Sequence, residues 1–198
     1  MKLDGVLCLA AMLTPTLHAG IVYDNTAAAS TDTDPVQSFG PLYDQFMSAP
    51  DVARITNLEL LLTLNGSAPT GVLDIGLYGD NFGTPGALIT SLGTLADTSL
   101  TNPIAEYNIT LTANPVLAAS TQYWIGLFGT TSANWSWSLD TSGPGVSGEE
   151  FSNSSGTWPS IDGPYQMAVT TTPTPEPASV LLLVSGVGLL TLYRLRAR

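Results

Sequence analysis

The stretch Ala105-Glu106-Tyr107-Asn108-Ile109-Thr110-Leu111-Thr112 alternates apolar and polar side chains without a break. Successive side chains of a strand point to opposite faces, so this predicts a half-buried strand with odd positions inward and even positions outward. The same period runs through Trp135-Ser136-Trp137-Ser138-Leu139 and Tyr165-Gln166-Met167-Ala168-Val169-Thr170. Upstream, Ile55 to Leu64 places Leu58, Leu60, Leu62 and Leu64 on one face. Val72 to Tyr78 and Ala87 to Leu92 read as two further strands, joined by the turn-rich Gly79-Asp80-Asn81-Phe82-Gly83-Thr84-Pro85-Gly86. Tyr123-Trp124-Ile125-Gly126-Leu127-Phe128 is apolar on both faces, as a central strand is. Gly20 to Pro50 is less patterned, with strands expected near Ile21–Asp24 and Asp44–Met47. No amphipathic helix interrupts the series. The expected fold is all-β, an antiparallel sandwich or jelly roll over residues 20–172.

The charge distribution narrows what such a domain does. Asp and Glu number 16 against 5 Lys and Arg. Lys2 lies at one extreme, Arg194, Arg196 and Arg198 lie at the other, and Arg54 is the only basic residue between. A domain this acidic cannot neutralise phosphates, so nucleic acid is not an expected partner. The only cysteine, Cys8, and the only histidine, His18, both fall in the N-terminal segment. Without them the remaining domain has no histidine, cysteine or lysine. Ser-His-Asp, Cys-His and Ser-Lys catalysis, Schiff bases and His/Cys zinc sites all lack their parts. No cofactor is expected, and the core must hold without a disulfide.

Residues 1–19, MKLDGVLCLAAMLTPTLHA, have the parts of a secretory signal peptide: Lys2, an apolar run from Gly5 to Leu13, the helix-breaking Thr14-Pro15-Thr16, and a cut after Ala19 and before Gly20. Asp4 is out of keeping with it. Cys8 follows Leu7, where a lipobox needs a small residue. The C-terminus, TTTPTPEPASVLLLVSGVGLLTLYRLRAR, places a Pro-rich spacer before Pro175-Glu176-Pro177. Residues 178–193 are apolar, and the tail 194–198 is Arg-rich. Sixteen residues make a helix of about 24 Å, short for a hydrocarbon core of about 30 Å, with Tyr193 and the arginines free to snorkel. Cytoplasmic arginines orient such a helix with the N-terminal domain outside.

The order of Pro-Glu-Pro, short apolar helix and Arg cluster over residues 173–198 closely resembles the PEP-CTERM sorting domain of Gram-negative bacteria that export polysaccharide. The resemblance implies processing by exosortase, a membrane-embedded cysteine protease. Pro175, Glu176 and Pro177 would be its recognition residues, and Arg194, Arg196 and Arg198 a stop-transfer signal. Signal peptidase is the other expected processing partner. The chain would be held in the membrane by its C-terminal helix, then reach the cell surface or the extracellular matrix. The series LELLLTLNG, LDIGLYGDNFGTPGALI, YNITLT, TQYWIGLFG and WSWSL is similar to choice-of-anchor domains, type R in particular, across residues 21–170. That likeness implies surface display and assigns no chemistry.

Three roles for the domain remain open: a structural or interaction module, a glycan-binding module that takes exopolysaccharide, and a carboxylate glycosidase. Trp158, before Pro159 in a polar loop, is the candidate glycan contact, whereas Trp124, Trp135 and Trp137 read as core. A glycosidase would draw on Glu149 and Glu150, with Asp140 and Asp162 nearby, because such enzymes pair two carboxyls across the scissile bond. On a Gly/Ser-rich loop, however, Glu149 and Glu150 read as solvated charge. Asp80-Asn81 with Asp74, or Asp32 and Asp34, offers hard oxygen ligands for calcium, but without EF-hand spacing they read as turn formers. The sequons at Asn108, Asn134 and Asn153 read as chance.

Overall fold

A computed structural model describes residues 19–66 and 69–174. Residues 1–18, Pro175, Glu176, Pro177, the apolar stretch 178–193 and Arg194, Arg196 and Arg198 lie outside the described residues. In chain order the strands are β1 (Gly20–Asp24), β2 (Asp32–Pro35), β3 (Leu42–Met47), β4 (Ala53–Leu64), β5 (Val72–Asp80), β6 (Pro85–Ala96), β7 (Ala105–Asn108), β8 (Val116–Leu117), β9 (Gln122–Phe128), β10 (Ala133–Trp137), β11 (Glu150–Asn153), β12 (Gly156–Pro159) and β13 (Met167–Pro173). One helical turn, α1 (Val36–Phe39), separates β2 from β3.

The strands form two sheets. The first runs β1-β13-β4-β10-β2, with β7 and β8 also on β4; the second runs β12-β11-β3-β9-β5-β6. All pairings are antiparallel. The described residues are therefore mostly β, in two antiparallel sheets, as their alternation predicts. Leu58, Leu60, Leu62, Met167 and Val169 of the first sheet share one core with Leu42, Phe46, Ile75, Leu77, Ile125 and Leu127 of the second. Leu58, Leu60 and Leu62 are fully buried, while Leu64 at the strand end is half-buried. β9 sits between β3 and β5 and buries Tyr123 through Leu127 on both faces, as its unbroken apolar run requires.

Two patterned stretches make shorter ladders than expected. β7 stops at Asn108, although burial still alternates through Leu111. Beyond it the Ile109 N–H donates to Leu58 O of β4 and the Thr112 N–H to Leu92 O of β6. This segment crosses from one sheet to the other and keeps its inward side chains without a strand partner. β10 ends at Trp137, leaving Leu139 exposed. β2, β8, β11 and β12 carry little apolar alternation, so their sequences do not announce them.

β1 pairs with β13, bringing Gly20 beside Thr171. The ladder of β13 runs to Pro173, and the Thr174 N–H donates to Val52 O at 2.9 Å. Bonded backbone therefore continues two residues beyond the expected boundary at 172.

Candidate functional site

The outer face of the second sheet carries most of the unusual side chains. Phe151, Asp44, Ile125 and Leu77 lie in register across β11, β3, β9 and β5, and the apolar members face the core. Their neighbours Glu150, Gln45, Trp124 and Tyr78 consequently face away from it. Gln45 stands opposite Trp124, and Trp124 opposite Tyr78.

Glycines shape this face. A Cβ on Gly126 would lie 2.5 Å from the Tyr78 ring and 2.6 Å from the Tyr43 ring. The two tyrosines therefore lean over bare backbone, meeting edge to face with ring centres 5.1 Å apart. Burial, followed by the neighbouring Tyr43, pushes the Tyr78 hydroxyl up to about 12.

Trp124 is fully buried, and Asp80 closes over its polar edge. Asp80 Oδ1 accepts from Trp124 Nε1 at 2.9 Å and from Gln45 Nε2 at 3.0 Å. Its Oδ2 accepts from the Gly83 N–H at 3.2 Å. The Asp80–Asn81 stretch is thus a turn, as expected, and the turn's carboxylate also satisfies a buried indole. Phe82 (φ 54°) and Gly83 (φ 78°) both take left-handed backbone in this hairpin, and Phe82 is fully exposed. Left-handed backbone is costly for a bulky residue.

Glu149 and Glu150 are not solvated charge, contrary to expectation. Glu149 is only 8% exposed, and one carboxylate oxygen of each residue is buried without a hydrogen-bond partner. Glu150 Oε2 lies against Gly83, 2.9 Å from where a Cβ would stand. The Ser160 N–H donates to Glu149 O, tying the loop down after Val146 has entered the core. Burial raises the Glu149 pKa, the Gln122 amide opposes that, and the charges of Glu150 and Asp80 add to it. Glycine-only close approach fixes this loop: a Cβ at Gly145 (φ 70°) would lie 2.0 Å from Val22 O.

The other sequence candidates are dispersed. Trp158 is half-buried, stacked on Phe151 at 5.7 Å and packed against the core. Trp135 is fully buried on Tyr165 at 4.7 Å, and Trp137 packs against the core, as expected of both. Asp140 is exposed and accepts from the Ser142 N–H at 2.9 Å, and the Ser142 hydroxyl, followed by this N–H, lowers its pKa. Asp162 is exposed in a 3-10 turn. Asp32 accepts from the Thr33 N–H, and Asp34 from the Tyr165 hydroxyl at 2.7 Å. Asp74 is half-buried in β5. Among the described residues, no three acidic side chains gather to hold a metal ion.

At one end of the first sheet lies an open depression of about 510 Å³ lined by Thr33, Thr63, Asn65, Asn102 and Asn134, among others. None of its lining residues is charged, and Asn134 Oδ1 is buried without a partner. Apart from the sequon at Asn134, these residues carry no signal in the sequence, because scattered Asn and Thr have no period.

Chemically, the outer face offers acceptors and aromatic rings but no nucleophile beside a base. Among the described residues, no helix is long and apolar enough to cross a membrane, and the expected anchor at 178–193 lies outside them. No family model matches the chain, and no curated protein matches it in sequence.

Proposed function

We infer that this is an exported surface or matrix protein with a structural or interaction role, sorted by exosortase in a polysaccharide-producing Gram-negative bacterium. The observation that carries the reading is that both ends of the described domain are tied into its first sheet. β1, which begins at Gly20, pairs with β13, and the Thr174 N–H still donates to Val52 O. In the sequence, the inferred signal cut and Pro175-Glu176-Pro177 stand on either side of this bonded backbone. Its exit strand β13 is bonded on both sides, to β1 and β4. A strand held on both edges suits a module displayed from its C-terminus, because pulling on the tail loads its ladder bonds together.

The test is intact mass and fractionation of the chain in such a host, with and without exosortase. Loss of residues 1–19 and of the Arg-bearing tail, the latter only when exosortase is present, is the expected result. An intact C-terminus held in the inner membrane of both strains overturns it.

A second reading, glycan binding, is favoured by the uncharged depression of amides and hydroxyls around Asn134 rather than by Trp158. Binding of a neutral exopolysaccharide that is lost in Asn134→Ala, but retained in Trp158→Ala, would support it. For the glycosidase reading, Asp140 and Asp162 are exposed, and the charges that act on Glu149 are those of Glu150 and Asp80.

A further inference from the structure

Asn65-Gly66 is the only Asn-Gly pair in the chain, and it stands where β4 has just ended at Leu64. The Asn65 N–H still donates to Ser132 O at 2.7 Å, so the backbone is fixed as far as Asn65. Beyond that point the chain is let go. Both residues are exposed, and among the described residues nothing accepts from the Gly66 N–H. Gly66 has left-handed backbone (φ 86°), and a Cβ built on it would meet nothing within 4 Å.

An asparagine in this setting carries an electrophile beside a nucleophile. Closing the Gly66 nitrogen on the Asn65 Cγ makes a five-membered ring, and such intramolecular attack is far faster than its bimolecular counterpart. It needs rotation about the Asn65 Cα–C bond, which the tethered Asn65 N–H leaves free. It also needs room beside the nitrogen, which glycine gives by having no Cβ.

The other asparagines lack one of these conditions. Asn102 and Asn114 precede prolines, which have no N–H. Asn57 and Asn134 lie within β4 and β10. The N–H groups after Asn25, Asn108 and Asn153 are bonded to Asp24 Oδ1, Leu58 O and Phe39 O. Asn81 is followed by the bulky Phe82. Even the acidic counterpart Asp162-Gly163 is held, because the Gly163 N–H donates to Ser160 O at 3.1 Å.

We propose that Asn65 is a self-modification site, converting to aspartate and isoaspartate through a succinimide. The Gly66 nitrogen loses its proton and bonds to Asn65 Cγ, and the side-chain nitrogen leaves as ammonia. Water then opens the ring. Attack at Cγ restores the ordinary backbone with an aspartate, whereas attack at the Asn65 backbone carbonyl leaves the chain running through Cγ as isoaspartate. Either product puts a carboxylate at the depression that Asn65 lines with Thr33, Thr63 and Asn134, where no lining residue is charged. The depression is thus neutral in a newly made chain and anionic in an aged one. The proposal depends on neither the sorting nor the glycan reading.

The full chain in detergent tests it, incubated in mildly alkaline and mildly acidic buffers made in oxygen-labelled water. Peptide mapping follows each asparagine, with a synthetic peptide of residues 61–70 as the unfolded reference. Asn65 is expected to take up label as its amide becomes a carboxyl, faster in the alkaline buffer, while Asn25 and Asn153 stay amides. Gly66→Ala should slow the conversion at least about tenfold. Asn65→Gln, whose ring would need another carbon, should abolish it. Both positions are exposed, so the fold is kept, which circular dichroism checks. An Asn65 that stays an amide in the folded chain while the peptide converts overturns the proposal, because the fold then holds the pair apart. So does a rate unchanged in Gly66→Ala, which marks hydrolysis of the side chain without ring closure.

Discussion

Tyr23 and Asp44 join the two sheets through a buried hydrogen bond: the phenol of β1 donates to Asp44 Oδ2 of β3 at 2.8 Å. Both residues are fully buried, and Asp44 Oδ1 has no partner. A carboxylate in an apolar layer is costly unless it is hydrogen-bonded. Tyr23→Phe removes this donor and leaves the acceptor in place, so it should cost about 1–3 kcal/mol of stability. A urea titration checks this, the midpoint falling while the m-value stays unchanged.

The same pair gives an unusual pH dependence. Burial raises the Asp44 pKa well above the carboxylate range, opposed by the Tyr23 hydrogen bond and assisted by the charge of Glu149. Glu149 is itself raised, again chiefly by burial. A carboxyl with a raised folded-state pKa binds its proton more tightly in the folded protein than in the unfolded one. Its contribution is therefore fully present below the unfolded pKa of about 4 and is lost as pH rises through the folded value. Melting temperature should climb as pH falls from 7 toward about 4, the opposite of ordinary acid denaturation. Each such carboxyl contributes a slope of up to about 1.4 kcal/mol per pH unit. Asp44→Asn should flatten the profile across that window. An unchanged slope in the variant would remove Asp44 from the account.

Asp80 is argued by the donors it serves. Trp124 Nε1 and Gln45 Nε2 both point at Oδ1, and both residues are almost completely buried. Asp80→Ala strands these donors and should cost about 1–3 kcal/mol. Asp80→Asn keeps an acceptor oxygen and should cost less. Tryptophan emission should shift to the red in Asp80→Ala as water reaches the indole, and much less in Asp80→Asn.

The architecture was legible wherever a strand buries either one patterned face or an unbroken apolar run. Leu58, Leu60 and Leu62 declare their face because Asn57, Glu59 and Thr63 alternate with them, Leu61 being the exception, and Tyr123 to Leu127 declare a central strand because the whole run is apolar. β2 and β12 were illegible because they lie at sheet margins, where little apolar surface is buried and turn-like residues suffice. The outer-face cluster was hidden for a different reason. Gln45, Asp80, Trp124 and Glu150 lie far apart in sequence and meet only through the order β11-β3-β9-β5, which alternation alone cannot supply. Glu149 and Glu150 were misread because a Gly/Ser-rich loop looks solvated until Val146 is seen anchoring it in the core.

Trp158 separates packing from recognition. Its sequence context, a polar loop before Pro159, suggests an exposed ring for stacking on a sugar. In the fold it stands opposite Phe151 across the β11–β12 pair, and the rings are stacked at 5.7 Å with an interplanar angle of 25°. Phe151 in turn meets Tyr165 edge to face at 5.7 Å, so Trp158 is the outermost member of an aromatic series leading into the core. Truncating it removes contacts from a half-buried ring, with a cost below that of a fully buried tryptophan: about 1–3 kcal/mol. Trp158→Ala should therefore lower the urea midpoint and leave any affinity for neutral polysaccharide unchanged once the protein is folded. A variant of unchanged stability that has lost polysaccharide binding would make Trp158 a ligand contact and reverse this assignment.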